Sequence, residues 1–203
     1  HNTITIDGQD QMTWVGKFLW LNWAQAKVID YTQADEESFE RLVAQHDGFR
    51  HLGALHQRAV EHRENKWTVT DSLHPCKPYV SRVPDSRTQE PTYKTRLHWL
   101  IPDWAWEAEN GINKKSFIIR LLSPHGWITI TFQETSKILL SDQRPQFKVQ
   151  IIRAGELEYG SGSISPQWGW VSPTYGYKVP ALSLALMAEG QIPLTITSEW
   201  TFP

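Results

Sequence analysis

The sequence lacks the features that would hold a fold together covalently or anchor it in a membrane. Cys76 is its only cysteine, so no disulfide can form within the chain. No stretch approaches the roughly 18 apolar residues of a membrane span. The formal net charge of −2 argues against nucleic-acid binding, because phosphate-binding surfaces are normally basic. A chain of 203 residues can instead bury a core that needs neither a disulfide nor a metal.

Tryptophan, by contrast, is abundant, with 11 residues in the chain. Such an excess is typical of two arrangements. Large indole rings can be wedged into the core of a β-sheet protein, or they can form aromatic platforms for a ligand such as a sugar ring. Composition alone leaves both arrangements open.

Apolar and polar residues alternate along most of the chain, which is the pattern of β-strands. The predicted strands cover residues 3–7, 24–32, 55–63, 66–73, 93–101, 115–122, 126–132, 146–152, 181–188 and 193–200. The polar pair Glu64 and Asn65 between two of them predicts a β-hairpin. Because no helices alternate with these strands, we expect one all-β domain, a large antiparallel β-sandwich of two stacked sheets with few or no helices.

Three segments depart from this pattern. Residues 32–45 are acidic at the start and apolar at Phe39 and Leu42, so a helix is possible there in a chain otherwise full of strands. Residues 74–92 contain four prolines and many polar residues, which predicts a loop. Residues 165–180, "SPQWGWVSPTYGYKVP", are predicted to form an irregular aromatic loop.

No complete catalytic motif is readable in the sequence. It has no His-x-His or His-Glu-x-x-His metal pattern, no Gly-x-Ser-x-Gly elbow and no phosphate-binding glycine loop. His56, Arg58 and His62 share one face of a predicted strand because side chains alternate along strands. That face either binds an anionic polymer or is simply solvated.

The aromatic loop offers a second set of candidate binding residues. Trp168, Trp170 and Tyr175 lie in it together with Tyr177, and glycines between them allow sharp turns. These rings either pack on the core or stack on a sugar. With the basic strand face, the predicted substrate-binding residues are His56, Arg58, His62, Trp168, Trp170 and Tyr175.

Four segments, in the same order along the chain, resemble the heparinase II/III-like family of polysaccharide lyases. They are "HNTITIDGQDQ" (1–11), "LHQRAVEHRENKWTVTDSL" (55–73), "RLHWLIPD" (96–103) and "RAGELEYGSGSISPQWGWVSPTYGYKVPA" (153–181). The first and the last are the specific ones. All resemble the C-terminal β-sandwich region of that family.

The resemblance implies β-elimination on a polysaccharide that contains uronic acid. A base removes the C5 proton, and neutralisation of the carboxylate charge stabilises the carbanion-like state. In the family an N-terminal (α/α) toroid supplies an Asn and a Tyr, and an upstream sandwich strand supplies a His. We therefore expect residues 1–203 to be a C-terminal sandwich that lacks the toroid and the first sandwich strands. No catalytic residue is assigned, and we expect the chain to be inactive without that partner domain.

Several members of the family bind zinc through two His and one Asp, and His1 matches the downstream His. The resemblance thus implies zinc in the intact protein, with the other ligands upstream. A single ligand does not hold zinc, so we expect no metal in this chain alone. The alternative is that His1 is an ordinary strand residue.

The predicted partner is an anionic uronate polysaccharide, such as heparan sulfate or alginate, and no nucleic acid. Lyases of this kind usually meet their polymer in the periplasm or outside the cell, so we expect a periplasmic or secreted protein. Two other functions are also consistent with the sequence. One is a carbohydrate-binding or scaffold module without catalysis, and the other is a polysaccharide-assembly protein that has lost lyase activity.

Overall fold

A computed structural model describes residues 2–33, 39–77, 91–110, 116–134 and 147–203. Its strands are β1 (Ile4–Ile6), β2 (Thr13–Gly16), β3 (Leu19–Leu21), β4 (Ala26–Thr32), β5 (Glu40–His46), β6 (Ala54–Arg63), β7 (Lys66–Pro75), β8 (Tyr93–Pro102), β9 (Trp106–Asn110), β10 (Ser116–Ser123), β11 (Gly126–Glu134), β12 (Lys148–Arg153), β13 (Glu156–Gly160), β14 (Trp170–Thr174), β15 (Tyr177–Gly190) and β16 (Leu194–Thr201). One short 3₁₀ turn, Arg50–Leu52, and no α-helix occur among these residues, which confirms the all-β class.

The strands form two large antiparallel sheets and one small hairpin. The first sheet has eight strands in the order β4-β5-β6-β7-β16-β11-β10-β9. The second has six, in the order β1-β8-β15-β12-β13, with β14 paired to β15. Strands β2 and β3 pair only with each other. The hairpin predicted around Glu64 and Asn65 is confirmed as β6 and β7.

The two sheets stack and bury one continuous apolar core. Leu97, Trp99 and Ile101 of β8 face Ile130 and other apolar residues of the eight-stranded sheet in the core. This side-chain alternation follows from the two-residue period of a strand. Trp99 meets Trp200 of β16 edge to face across the core, with ring centroids 5.1 Å apart. Some of the tryptophans therefore pack in the core.

Two local expectations were wrong. The described end of the possible helix, Glu40–His46, is strand β5, which pairs with β4 on one side and β6 on the other. Backbone pairing on both sides and burial of Val43 outweigh a weak helical propensity. Part of the expected irregular loop is a hairpin, because β14 pairs with β15 around a turn between Thr174 and Tyr177.

Other expectations lie partly beyond the described residues. Of the predicted loop 74–92, residues 78–90 are outside them, as are residues 34–38 of the possible helix. Within the described part of the chain, no helix is long and apolar enough to cross a membrane.

Candidate functional site

The outer face of the six-stranded sheet carries a polar cavity of about 750 Å³. Strand β8 supplies Lys94, Arg96 and His98 to its wall, while Leu97 and Trp99 alternate with them and point into the core. Further walls come from β1, β12, β15 and the loop that follows β13. The volume lies within the range of roughly 300–1,000 Å³ that is typical of small-molecule sites.

Arg96 is the most unusual side chain in the cavity wall. Its guanidinium carbon lies 4.3 Å from the centroid of the Trp168 ring, a cation–π contact. Its Nε and Nη2 atoms are buried and have no hydrogen-bond partner among the described residues. Burial lowers the pKa of Arg96, although the nearby carboxylate of Asp10 acts in the opposite direction. Burial of two guanidinium nitrogens without an acceptor is costly, and the contact with the Trp168 ring offsets part of that cost.

Glycine at position 169 holds the Trp168 ring in place. Gly169 has a φ of +76°, and a Cβ there would lie 2.6 Å from the backbone nitrogen of Ala154. The close approach lets the Gly169 carbonyl accept hydrogen bonds from the backbone N–H groups of Ala154 at 2.8 Å and Ala181 at 2.9 Å. The loop is thereby docked on β12 and β15, which positions Trp168 against Arg96.

Gln150 of β12 and Thr95 of β8 also line the cavity and each has an unpaired buried oxygen. Gln150 is 1% exposed. Its Nε2 donates to the carbonyl of Ser161 at 2.9 Å, which fixes the orientation of the amide. Its Oε1 is buried and has no hydrogen-bond partner in the described part of the chain. An oriented acceptor therefore lies in the same wall as the unpaired guanidinium donors.

His98 contributes polarity to the cavity but no positive charge near neutral pH. Its Nε2 lies 2.8 Å from the hydroxyl oxygen of Ser183 on the neighbouring strand β15. Burial lowers the pKa of His98 to about 3, and the charge of Arg96 lowers it further in the same direction. The ring is therefore neutral under ordinary conditions.

A second polar cluster, the interior cluster, lies between the two sheets. Strand β6 is an inner strand of the eight-stranded sheet, and Ala54 and Val60 on the face it shares with His56 and Arg58 pack against the core. This face is therefore closed at His56, whereas the Arg58 side chain is 25% exposed, and polymer binding there stays a prediction. His56 is 3% exposed because its face closes against the opposite sheet.

Asp71 of β7 is the centre of the interior cluster and is fully buried. It accepts hydrogen bonds from His56 Nε2 at 2.6 Å and from Arg58 Nε and Nη2 at 2.8 and 3.0 Å. Burial alone would raise the pKa of Asp71, but the His56 hydrogen bond and the Arg58 charge outweigh it and lower the pKa. Arg58 also lies over the Trp99 ring at 5.1 Å and donates to the carbonyl of Asn2 at 2.7 Å, which ties the two sheets together.

His46 extends this cluster by a directional hydrogen-bond chain. Its Nδ1 accepts from the backbone N–H of Gly48 at 3.2 Å. Burial lowers the pKa of His46 to about 4, so its single proton sits on Nε2. That proton points to Nδ1 of His56, 2.9 Å away, and His56 in turn donates from Nε2 to Asp71. All the ring nitrogens of both histidines are thus engaged.

The predicted binding residues are scattered rather than gathered. Trp168 lines the cavity, whereas Trp170 and Tyr175 belong to the β14–β15 hairpin, where Tyr175 is fully exposed. Trp170 donates from Nε1 to the carbonyl of Pro166 at 3.1 Å. His62 stacks on Trp67 at 4.2 Å near the end of β6. The binding role of each residue stays a prediction.

Sequence reasoning missed Arg96, His98 and Gln150. A signal for the first two was present, because Lys94, Arg96 and His98 alternate with apolar residues in "YKTRLHWLI" and so share one strand face. Gln150 is a polar residue in the apolar run "VQII" and carries no comparable signal. What makes it unusual is its unpaired oxygen, which is visible only in the folded protein.

The predicted zinc ligand His1 lies outside the described residues, so zinc binding stays a prediction. Among the residues that are described, no group of three or more His, Cys, Asp or Glu side chains is arranged to hold a metal ion. The interior cluster does not fit one either, because His46 and His56 use their ring nitrogens in hydrogen bonds.

Fold and cavity together define a two-sheet antiparallel β-sandwich with a cavity lined by polar and charged residues on one outer face. The family described as "Heparinase II/III-like, C-terminal" matches residues 1–197, and the chain belongs to this family. The sequence resemblance is thereby confirmed.

A solved heparinase III structure has the same fold. It is 12% identical, with a TM-score of 0.57, and the match covers 99% of this chain and 23% of that one. The chain thus spans about a quarter of the length of that heparinase III. No curated protein sequence matches the chain.

Proposed function

We propose that this chain is the β-sandwich part of a polysaccharide lyase that cleaves a uronic-acid-containing polymer by β-elimination. Membership of the heparinase II/III-like C-terminal family over residues 1–197 carries the proposal. The cations Lys94, Arg96 and Lys148 in the cavity wall also support it, because an anionic polymer needs cationic contacts. The catalytic base and acid come from the rest of the protein, so the chain alone is inactive.

The test compares the full-length protein with the 203-residue chain. Each is incubated with heparan sulfate, alginate and other uronate polymers, and the ultraviolet absorbance of the unsaturated uronate product is followed. We expect product from the full-length protein and none from the shorter chain. Absence of product from both would contradict the lyase. Product from the short chain would contradict its dependence on another domain.

We further propose that an N-terminal helical domain packs on apolar side chains exposed along residues 13–32. Phe18 is 95% exposed there, Trp23 75% and Val28 63%, and neighbouring large apolar groups of this kind mark an interaction surface. The fourfold greater length of the matched heparinase III supports a large partner domain. Hydroxyl-radical footprinting should find Phe18 and Trp23 protected in the full-length protein, with Tyr175 as the exposed control. Equal labelling of all three would contradict this contact.

The exposed β14–β15 hairpin favours a second candidate function, carbohydrate binding without catalysis. Tyr175 is fully exposed at its turn, and Lys178 lies 4.0 Å from the Trp170 ring, so an aromatic and cationic surface faces solvent. If this function is correct, a Tyr175→Ala, Trp170→Ala double variant should lose retention on immobilised polysaccharide. Retention with no product from any polymer would favour this function over the lyase. In both cases we expect a periplasmic or secreted protein, which cell fractionation tests.

A further inference from the structure

The corner that follows β5, formed by Asp47 and Gly48, contacts both ends of the segment that carries the β2–β3 hairpin. At one end, Gly48 packs so closely on Gln11 that a Cβ at position 48 would lie 2.6 Å from the Gln11 carbonyl oxygen. At the other end, the Asp47 carboxylate accepts from the backbone N–H of Gln25 at 2.7 Å. The Asp47 N–H in turn donates to the Gln25 carbonyl at 3.2 Å. Residues 11–25 are therefore anchored at this corner.

The backbone of the corner is bound to the side chain of His46. The N–H of Gly48 donates to His46 Nδ1 at 3.2 Å, so this nitrogen must stay without a proton. The other ring nitrogen of His46 faces Nδ1 of His56 at 2.9 Å, and His56 Nε2 faces Asp71 at 2.6 Å. With one proton on each ring, every one of these contacts pairs a donor with an acceptor. The chain of hydrogen bonds from Gly48 to Asp71 is thus complete only when both histidines are neutral.

One added proton breaks this chain at the same point, whichever ring takes it. On His46 the proton occupies Nδ1, where it meets the N–H of Gly48. On His56 it occupies Nδ1 and donates to His46 Nε2, so the single proton of His46 moves to its own Nδ1 and again meets Gly48. A part-buried N–H that loses its acceptor is costly. Acid therefore detaches Gly48 from His46.

The surroundings of His46 favour the neutral ring. Its charged and titratable neighbours come from the corner, from β6 and from β7, and they are Asp47, His56, Arg58 and Asp71. Its other neighbours, Ala26 of β4 and Phe49, carry no charge. Burial is the main cause that lowers the pKa of His46 to about 4, the two cationic neighbours lower it further, and the two carboxylates act in the opposite direction. A proton on this ring is therefore more stable once the corner has opened to solvent.

We propose that protonation of the His46–His56 pair releases the corner at Asp47 and Gly48 and thereby loosens residues 11–25. The interior cluster is thus linked to exposed apolar side chains, because Phe18 and Trp23 lie in that segment. This release is local, since the core strands keep their pairing. The inference goes beyond the proposed lyase function and does not depend on it.

Hydrogen–deuterium exchange of the full-length protein, followed by mass spectrometry at neutral and acidic pH, tests this release. Uptake is corrected for the intrinsic pH dependence of amide exchange. A pKa of 6.5 in the open segment and about 4 in the closed one make opening about twentyfold more frequent at about pH 5 than at about pH 7. Uptake by residues 11–25 and by Gly48 should rise accordingly. Peptides around Ile119 and Ile130, paired at the centre of β10 and β11, should stay protected.

Variants assign the rise to the histidine pair. His46→Gln does not titrate at this position, so most of the rise should be lost. His46→Asn serves the same purpose and keeps an acceptor near the position of Nδ1. His62→Gln is the matched control, because His62 also lies on β6 but stacks on Trp67 outside this chain of hydrogen bonds, and it should keep the full rise. Thermal melting of each variant confirms that it folds.

Three results would overturn the proposal. They are no rise in residues 11–25, an equal rise around Ile130, and an unchanged rise in a folded His46 variant. The elimination assay separates this inference from the proposed function. Product formation without the rise would contradict only the acid release, and the rise without product from any polymer would contradict only the lyase.

Discussion

The interior cluster and the outer cavity contain the same kinds of side chain, but these differ in whether their polar atoms have hydrogen-bond partners. In the interior cluster Arg58, His56 and His46 all find partners, and the carboxylate of Asp71 receives three hydrogen bonds. In the cavity Arg96 keeps two buried donors without a partner among the described residues. Buried polar groups with full hydrogen bonding stabilise a fold, whereas unpaired ones are costly.

We expect the largest loss of stability when the central residue of the interior cluster, Asp71, is replaced. Asp71→Asn leaves the Arg58 charge without its carboxylate inside the protein, so we expect a loss of about 3–5 kcal/mol in the free energy of unfolding. Urea denaturation of the full-length protein measures the loss. Asp103→Asn is the control, because it removes the same bidentate geometry from Arg153 at the surface, where solvent screens the pair. Equal losses in both variants would contradict the structural role of the interior cluster.

The second prediction compares the stability lost in Arg58→Gln with that lost in Arg96→Gln. Arg58→Gln leaves Asp71 with one charged partner fewer, and since the Arg58 side chain is 25% exposed, we expect a loss of about 2–3 kcal/mol. Arg96→Gln removes a guanidinium whose Nε and Nη2 have no hydrogen-bond partner among the described residues, so lost stacking on Trp168 and relief from burial should nearly cancel. Its change should stay within about 1 kcal/mol. A larger loss in Arg96→Gln than in Arg58→Gln would reverse the comparison.

The third prediction concerns pH. His46 has an ordinary pKa of 6.5 that burial lowers to about 4 in the folded protein. Between these values the unfolded chain binds a proton that the folded chain does not, so stability falls as pH falls through this window. The slope from His46 is at most about 1.4 kcal/mol per pH unit. His46→Gln should reduce the change of the urea midpoint with pH between 6.5 and 4. His125→Gln, at an exposed turn position, should leave that change as it is. An identical slope in both variants would show that His46 is not the titrating group.

The smallest effect belongs to Gln150. Gln150→Leu removes the hydrogen bond to Ser161, worth about 1 kcal/mol, and also removes an unpaired oxygen whose burial costs a similar amount. We therefore expect almost no change in the urea midpoint. A large loss of stability would mean that Gln150 has a structural role instead.

Much of the architecture could be predicted because period-two alternation determines which residues face the core. The hairpin around Glu64 and Asn65 and the strands through Leu97 and Ile130 follow from local pattern alone. Strand β5 could not be predicted in this way. The acidic residues that precede it, 35–37, together with Phe39 and Leu42 suggested a helix, and it is a strand because β4 and β6 pair with its backbone on both sides.

The site was less predictable for a related reason. The pattern placed His56 and Arg58 on one strand face but could not show that this face points into the core. Conversely, Arg96 and Gln150 come from strands 54 positions apart in the numbering of the chain, and only the β8–β15–β12 order brings them to one wall. A residue's pairing with its neighbours, rather than its type, separates the interior cluster from the cavity.

The most direct test of the proposed function is the elimination assay on the full-length protein beside the 203-residue chain. The account predicts an unsaturated uronate product from the full-length protein and none from the shorter chain. Absence of product from both, on every uronate polymer tried, would contradict the lyase function.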